Sequence, residues 1–189
     1  MNAARLGVGL QGLAIAERAL QQARTYARER IQSRDLRKPK EAPVAIINHP
    51  DVRRMLLTIR AYTEAMRALA YEAGAALDKK SPRADLLTPI VKAWSTDLGV
   101  ECASLGVQIH GGMGYIEETG AAQLYRDAKI ACIYEGTNGI QANDLVFRKV
   151  QKDGGKMAAD FIAEGRAALA TLAQHKGEDA SVIAREVSI

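Results

Sequence analysis

The sequence predicts an all-α fold, most simply an antiparallel helix bundle, and three observations carry that reading. Apolar residues recur at three-and-four spacing through three long stretches, no stretch shows a convincing strand-like alternation, and no internal repeat appears. The first stretch places Leu6, Leu10, Leu13, Leu20, Ala23 and Ala27 among good helix formers, with no proline before Pro39, and predicts a helix over about 3–33. The segment RDLRKPKEAPVAIINHP carries three prolines and no periodicity, so it reads as a connector. A second helix is predicted from about 51 to Leu77 through Val52, Met55, Leu56, Ile59, Met66, Leu69 and Ala73. A third is predicted over about 84–109 through Leu87, Val91, Trp94, Leu98, Cys102, Leu105 and Ile109, stopping at Gly111 and Gly112. Trp94 and these rows are assigned to the core.

Between 111 and 139 six glycines break the chain into turns around one short helix, Ala121 to Ala131. Another helix is predicted from Thr137 or Asn138, either a suitable N-cap, to about Lys149, and a last one after Gly155. The domain division read from this pattern is 1–150 for the main helical domain and 151–189 for a helical C-terminal extension that looks truncated at AREVSI.

Composition narrows the classes of function. The 189 residues are 48% apolar, enough for a substantial core. Cys102 and Cys132 stand in no metal-binding or disulfide-framework spacing, so no metal site is expected and a reducing, cytoplasmic location is the default. No apolar run reaches the roughly 20 residues of a membrane span. The net charge of +4 suits an anionic ligand or plain solubility; few aromatics interleave with the basic residues, which argues against a nucleic-acid partner.

Two stretches could carry chemistry. In IACIYEGTNGIQ (130–141), Glu135 follows Ile133 and Tyr134 and precedes Gly136. An apolar wall on one side would make the acid a better base near neutral pH, and glycine would let a ligand touch the backbone. The competing reading is an acid placed near a helix N-terminus, where its charge is favoured. In QIHGGMGY (108–115) the glycines either admit a large flat or phosphorylated ligand or merely cap a helix and turn the chain. His110 lacks a partner acid or a second histidine at metal spacing and reads as structural or surface.

Taken together, QIHGGMGY, RDAKI (126–130) and EGTNGIQ (135–141), in that order, resemble the C-terminal helical domain of the acyl-CoA dehydrogenase family, and ARLGVGLQGLA and YARER in the first helix resemble its lead-in, so the likeness extends over about 1–150. It implies that Glu135 is the base that removes the α-proton of an acyl-CoA thioester while the β-hydride passes to FAD, giving a trans-2-enoyl-CoA. It implies FAD contacts from Arg30, on the flavin pyrophosphate of a neighbouring subunit, from Gln108 and Gly112 near the adenosine half, and from Thr137. Substrate contacts fall to Arg5, Tyr134 and Gly136. Some members carry their base in the first helix; that position is Ala4 here, which leaves Glu135.

The implied partners are an acyl-CoA, an electron-transfer flavoprotein as electron acceptor, and copies of the chain itself, as a dimer or tetramer. Ser33-Arg34 and His49-Pro50 depart from the family pattern, and HPDVRRML with the long tail resembles a bacterial subgroup that includes enzymes acting on methylthiopropanoyl-CoA. The family's preceding helical and β domains have no counterpart in these residues, so the chain is expected to be part of a longer enzyme, with little activity and weak FAD binding alone. The rival readings are a non-catalytic helical assembly module and an acyl-CoA oxidase.

Overall fold

A computed structural model describes residues 2–174; the reading of AREVSI as a truncated end lies outside them. The described residues are helical, with no strand beyond one isolated bridge between Ile31 and Ala45. The chain divides into two compact units, Met1–Leu145 and a second from Val146 onward.

Three long helices dominate the first unit: α1 (Asn2–Glu29), α2 (Pro50–Asp78) and α3 (Arg83–His110). Helix α1 stops four residues before the expected end. Ser33 takes a left-handed backbone (φ 61°), and the connector folds back on the helix end through Gln32 N–H to Val44 O (3.0 Å), Val44 N–H to Ser33 O (2.9 Å) and Ile46 N–H to Arg30 O (2.8 Å). Continuing the helix would have cost those pairings. Pro50 opens α2 at its first position, where its missing N–H has no helical partner to lose. Gly111 (φ 60°) closes α3 with its N–H on Gln108 O (3.1 Å).

Consecutive helices run antiparallel, so α1 and α3 are parallel with α2 returning between their ends. Gly9 lies against Val91, Gly12 against Ser95, Ala19 against Gly106, and the Tyr26 ring stacks on His110 with centroids 4.5 Å apart. Backbone meets backbone along this seam. A Cβ on Gly12 would lie 2.4 Å from Ser95 O, and one on Gly99 2.9 Å from Gly12 O. Small residues here allow an approach that larger ones would forbid. Helix α2 covers the pair with Ile59 and Met66, both fully buried, as are Leu87 and Val91 of α3; each such side chain contributes roughly 1.5–3 kcal/mol.

Two expectations for the core do not hold. Trp94 is 38% exposed and Leu10 39% exposed. The face of α3 toward α1 is built from Ser95, Gly99, Ala103 and Gly106, and the gap is too narrow for an indole, so Trp94 lies beside that row and reaches solvent.

Both cysteines are buried free thiols. Burial pushes the Cys102 thiol up to about 12 from an ordinary 9.0. A thiol whose folded pKa exceeds its unfolded one contributes stability that is fully present below about pH 9 and is lost as pH rises toward 12. Stability measured by urea unfolding is therefore expected to fall less between pH 9 and 11 in Cys102→Ala than in the wild type, and parallel pH profiles would remove the assignment.

After α3 come a one-turn helix α4 (Gly112–Tyr115), a 3-10 turn (Glu117–Thr119), and α5 (Ala121–Ala131), at the bounds expected from sequence. Helix α6 (Asn138–Asn143) begins at the expected N-cap, Thr137, but widens into a π-helix over Asp144–Val150. Within the second unit Gly154 and Gly155 turn the chain with positive φ, and the Asp153 carboxylate accepts from Gly155 and Met157 N–H (both 3.0 Å) ahead of α7 (Lys156–Gln174).

Candidate active site

The loop between α5 and α6 presents Glu135. The amides of Ile133 and Tyr134 both donate to Ile130 O (3.0 and 3.2 Å), completing the end of α5. Glu135 (φ 56°) and Gly136 (φ 83°) then take two successive left-handed conformations, reversing the chain so that Asn138 N–H reaches back to Cys132 O (3.1 Å). Thr137 caps α6, its hydroxyl accepting from Ile140 N–H (3.4 Å). Gln141, fully buried beneath the turn, donates Nε2–H to the carbonyls of Glu135 (3.3 Å) and Gly136 (3.1 Å). A Cβ at 136 would sit 2.9 Å from that amide nitrogen, so a side chain there would displace the Gln141 amide, and the positive φ favours glycine in any case.

The Glu135 carboxylate is exposed, and its expected apolar wall is open: Ile133 and Tyr134 are 51% and 38% exposed. In this chain they form a flank rather than a closed pocket, because the reversal at 135–136 turns the acid outward. The Tyr134 hydroxyl donates to Gln11 Oε1 on α1, tying the flank to the bundle. The left-handed backbone at Glu135 costs an L-residue roughly 1–2 kcal/mol. Glu135→Gly should accordingly raise the melting temperature by a few degrees; an unchanged or lower value in a thermal melt would mean that the side chain, not the backbone, dominates there.

Beneath the loop lies a polar cluster that the sequence reading missed. Lys92 on α3 is fully buried, and its ammonium donates to Asn138 Oδ1 (2.8 Å). Asn138 Nδ2 donates to Asp97 Oδ1 (2.7 Å), Thr96 Oγ1 (2.9 Å) and Ala93 O (3.2 Å). The signal was a charge one residue from the apolar Val91, on a helix with almost every side covered; a charged residue at such a position is rarely buried unless paired. Desolvation moves the Lys92 pKa down.

Arg5 is also buried, its guanidinium donating to Asp144 (2.8 Å). That ion pair lies within the first unit.

The remaining site residues gather at the other end of α1 and α3. Tyr26, Arg30, His49, Val52, His110 and Gly111 line a cavity of about 410 Å³. Arg30 is exposed at its edge. His110 is a wall: it is buried, stacked on Tyr26, and donates Nδ1–H to Gly106 O (2.7 Å), as the structural reading expected. Gln108 and Gly112 are exposed at the same end without lining the cavity. A Cβ on Gly112 would meet nothing within 4 Å, whereas one on Gly114 would lie 2.3 Å from Val107 O. Gly111, whose added Cβ would likewise meet nothing within 4 Å, and Gly112 are therefore left open by internal packing, and Gly114 is not. Gln11, which holds the Glu135 flank, and Arg30 are 19 positions apart, about 28 Å along a helix at 1.5 Å per residue. One copy of the chain thus brings Glu135, Tyr134, Gly136 and Thr137 together, and separately Arg30, Gln108 and Gly112.

Among the described residues no group of three or more His, Cys, Asp or Glu side chains could hold a metal ion, and no helix is long and apolar enough to cross a membrane.

Residues 1–149 match the family model for the acyl-CoA dehydrogenase C-terminal domain. The chain is 52% identical to 3-methylmercaptopropionyl-CoA dehydrogenase of Ruegeria pomeroyi, over 94% of this chain and 34% of that one. It is 35% identical to a butyryl-CoA dehydrogenase of Syntrophomonas wolfei, over 87% and 29% respectively. The structure superposes on butyryl-CoA dehydrogenase from Megasphaera elsdenii with a TM-score of 0.68 at 33% identity, covering 76% of this chain and 35% of that one. The chain spans about a third of the length of these relatives.

Proposed function

Because the chain belongs to the acyl-CoA dehydrogenase family through its C-terminal domain, we propose that it supplies the catalytic base, Glu135, for the FAD-dependent α,β-dehydrogenation of an acyl-CoA thioester. The observation that carries this reading is the loop itself. An exposed carboxylate stands on a doubly left-handed turn, with glycine beside it and a buried polar framework below. An acid serving only as a favourable charge near α6 would need neither the strained turn nor that framework.

The residues fit a flavin in a divided way. The guanidinium of Arg30 and the open backbone at Gly112 suit the pyrophosphate and adenosine portions, with Gln108 beside them; Thr137 suits the ring end. The separation of about 28 Å along α1 supports a site completed by two copies of the chain, Arg30 from one and Glu135 from another, and hence a homo-oligomer. When bound, FAD supplies the acceptor for the electron pair that leaves with the β-hydrogen. The chain's own task is the α-proton. Glu135 takes it, and because that proton is weakly acidic, a donor must meet the thioester oxygen as charge develops there; the backbone N–H of Glu135 has this role. Tyr134 and Ile133 flank the acyl chain. An electron-transfer flavoprotein would be the electron acceptor.

The first substrate to assay is 3-methylthiopropanoyl-CoA, with butanoyl-CoA as the comparison, since the 52% identity is to an enzyme named for the former. The test of the function is anaerobic bleaching of bound FAD by an acyl-CoA in the polypeptide carrying this domain, with and without Glu135→Gln. Bleaching that depends on Glu135 supports the reading, and bleaching that survives the substitution removes it.

A further inference from the structure

A lysine with no exposed surface is costly, because its ammonium gives up hydration and must recover it from neighbours. The Lys92 ammonium donates to Asn138, a residue of the functional loop, three positions after Glu135. Asn138 in turn is held at both ends of its amide. Its oxygen accepts from Lys92 (2.8 Å), its nitrogen donates to Asp97, Thr96 and Ala93 O, and its backbone N–H closes the loop on Cys132 O (3.1 Å). Thr96 is itself fixed, donating to Lys92 O at 2.8 Å. The ionisable groups around the ammonium are Arg5, Asp97, Cys132 and Glu135, so the lysine also sits within the field of the acid it underlies.

We propose that Lys92 is a positioning residue: through Asn138 its buried ammonium fixes the left-handed turn that presents Glu135. The catalytic part of this inference rests on Glu135 being the base; the mechanical part does not. Removing the ammonium leaves Asn138 Oδ1 without its charged donor and frees the turn to sample other backbone conformations, while the large apolar core of α1–α3 is untouched.

The test is hydrogen exchange of the 189-residue chain in wild type, Lys92→Met, Asn138→Ala and the double variant. The amides to read are those of Asn138, bonded across the loop to Cys132 O, of Ile133 and Tyr134, bonded to Ile130 O at the end of α5, and of Gln141, bonded to Thr137 O at the start of α6. Both single variants are expected to speed their exchange about tenfold or more, with the double variant no faster than the singles, while Ile59 and Ala103 stay within about twofold. Asn138 is a half-buried loop residue, so its variant reads the same linkage should Lys92→Met fold poorly. In the FAD-loaded enzyme carrying this domain, Lys92→Met should slow flavin bleaching by about 10²-fold with acyl-CoA affinity little changed, the signature of a misplaced base. Exchange that rises uniformly across the helices, a loop that stays protected, or an equal loss of affinity and rate would each overturn the proposal. A loosened loop in an enzyme whose bleaching ignores Glu135→Gln would uphold the mechanical link and reject the base.

Discussion

Glu135→Gln is expected to slow anaerobic flavin bleaching by about 10²–10⁴-fold, the span general-base removal usually costs. Glutamine keeps the length, the shape and the left-handed backbone demand of the residue, so the loop and its buried support stay in place. What disappears is the capacity to accept a proton. FAD content, thermal stability and the affinity for acyl-CoA should remain near wild-type values, so the loss falls on the rate constant alone. A fall in FAD content of the same size would instead make Glu135 a structural acid, and an unchanged rate would move the base elsewhere.

The largest effect on stability is expected from Gly12→Ala. The added methyl would sit 2.4 Å from Ser95 O and 2.8 Å from the Thr96 Cα, and both obstacles are main chain, which no rotamer change can clear. Helices α1 and α3 would have to separate along the seam where they approach most closely. Overpacking of this kind costs about 1–3 kcal/mol or more, which in a chain of this size corresponds to a melting temperature lower by roughly 2–12 °C. Gly7→Ala is the matched control. A methyl there meets nothing within 4 Å, so only the better helix propensity of alanine remains and the variant should be more stable by about 0.5–1 kcal/mol. Opposite signs at two glycines five positions apart on one helix would establish the seam; two stabilising substitutions would show that the helices have slack there.

The helices were legible because large apolar residues mark them. Leu56, Ile59 and Met66 repeat at helical spacing, and α2, α3 and α5 appear within a residue or two of their expected limits. The end of α1 was not, because nothing local in YARERIQS opposes a further turn; the opposition comes from Val44 and Ile46, more than ten positions later. Trp94 was misassigned for a related reason. A rule that sends large apolar residues inward fails where two backbones touch, since the innermost positions then belong to Gly12, Ser95 and Gly99. The loop was legible in its cap, Thr137, and in its glycine. Its openness was not, because exposure at Glu135 depends on a reversal of the chain that a positive φ at a non-glycine residue does not announce. Nor was Lys92, whose partner lies 46 positions away.

The seam and the loop meet at one height on α3. Gly9 and Gly12 touch the backbone at Val91 and Ser95, and Lys92 stands between those two levels. The acid is therefore referenced to main-chain atoms by a short path: loop to Asn138, Asn138 to Lys92, Lys92 to a stretch of helix clamped against its neighbour. Side chains elsewhere in the bundle change rotamers continually, and each such hop would add error to a position measured from them. A position measured from two clamped backbones does not accumulate that error. The tolerance on Glu135 is set by two hydrogen bonds, Asn138 to Cys132 and Lys92 to Asn138, and one hard contact between backbones, not by how well the remaining core is filled.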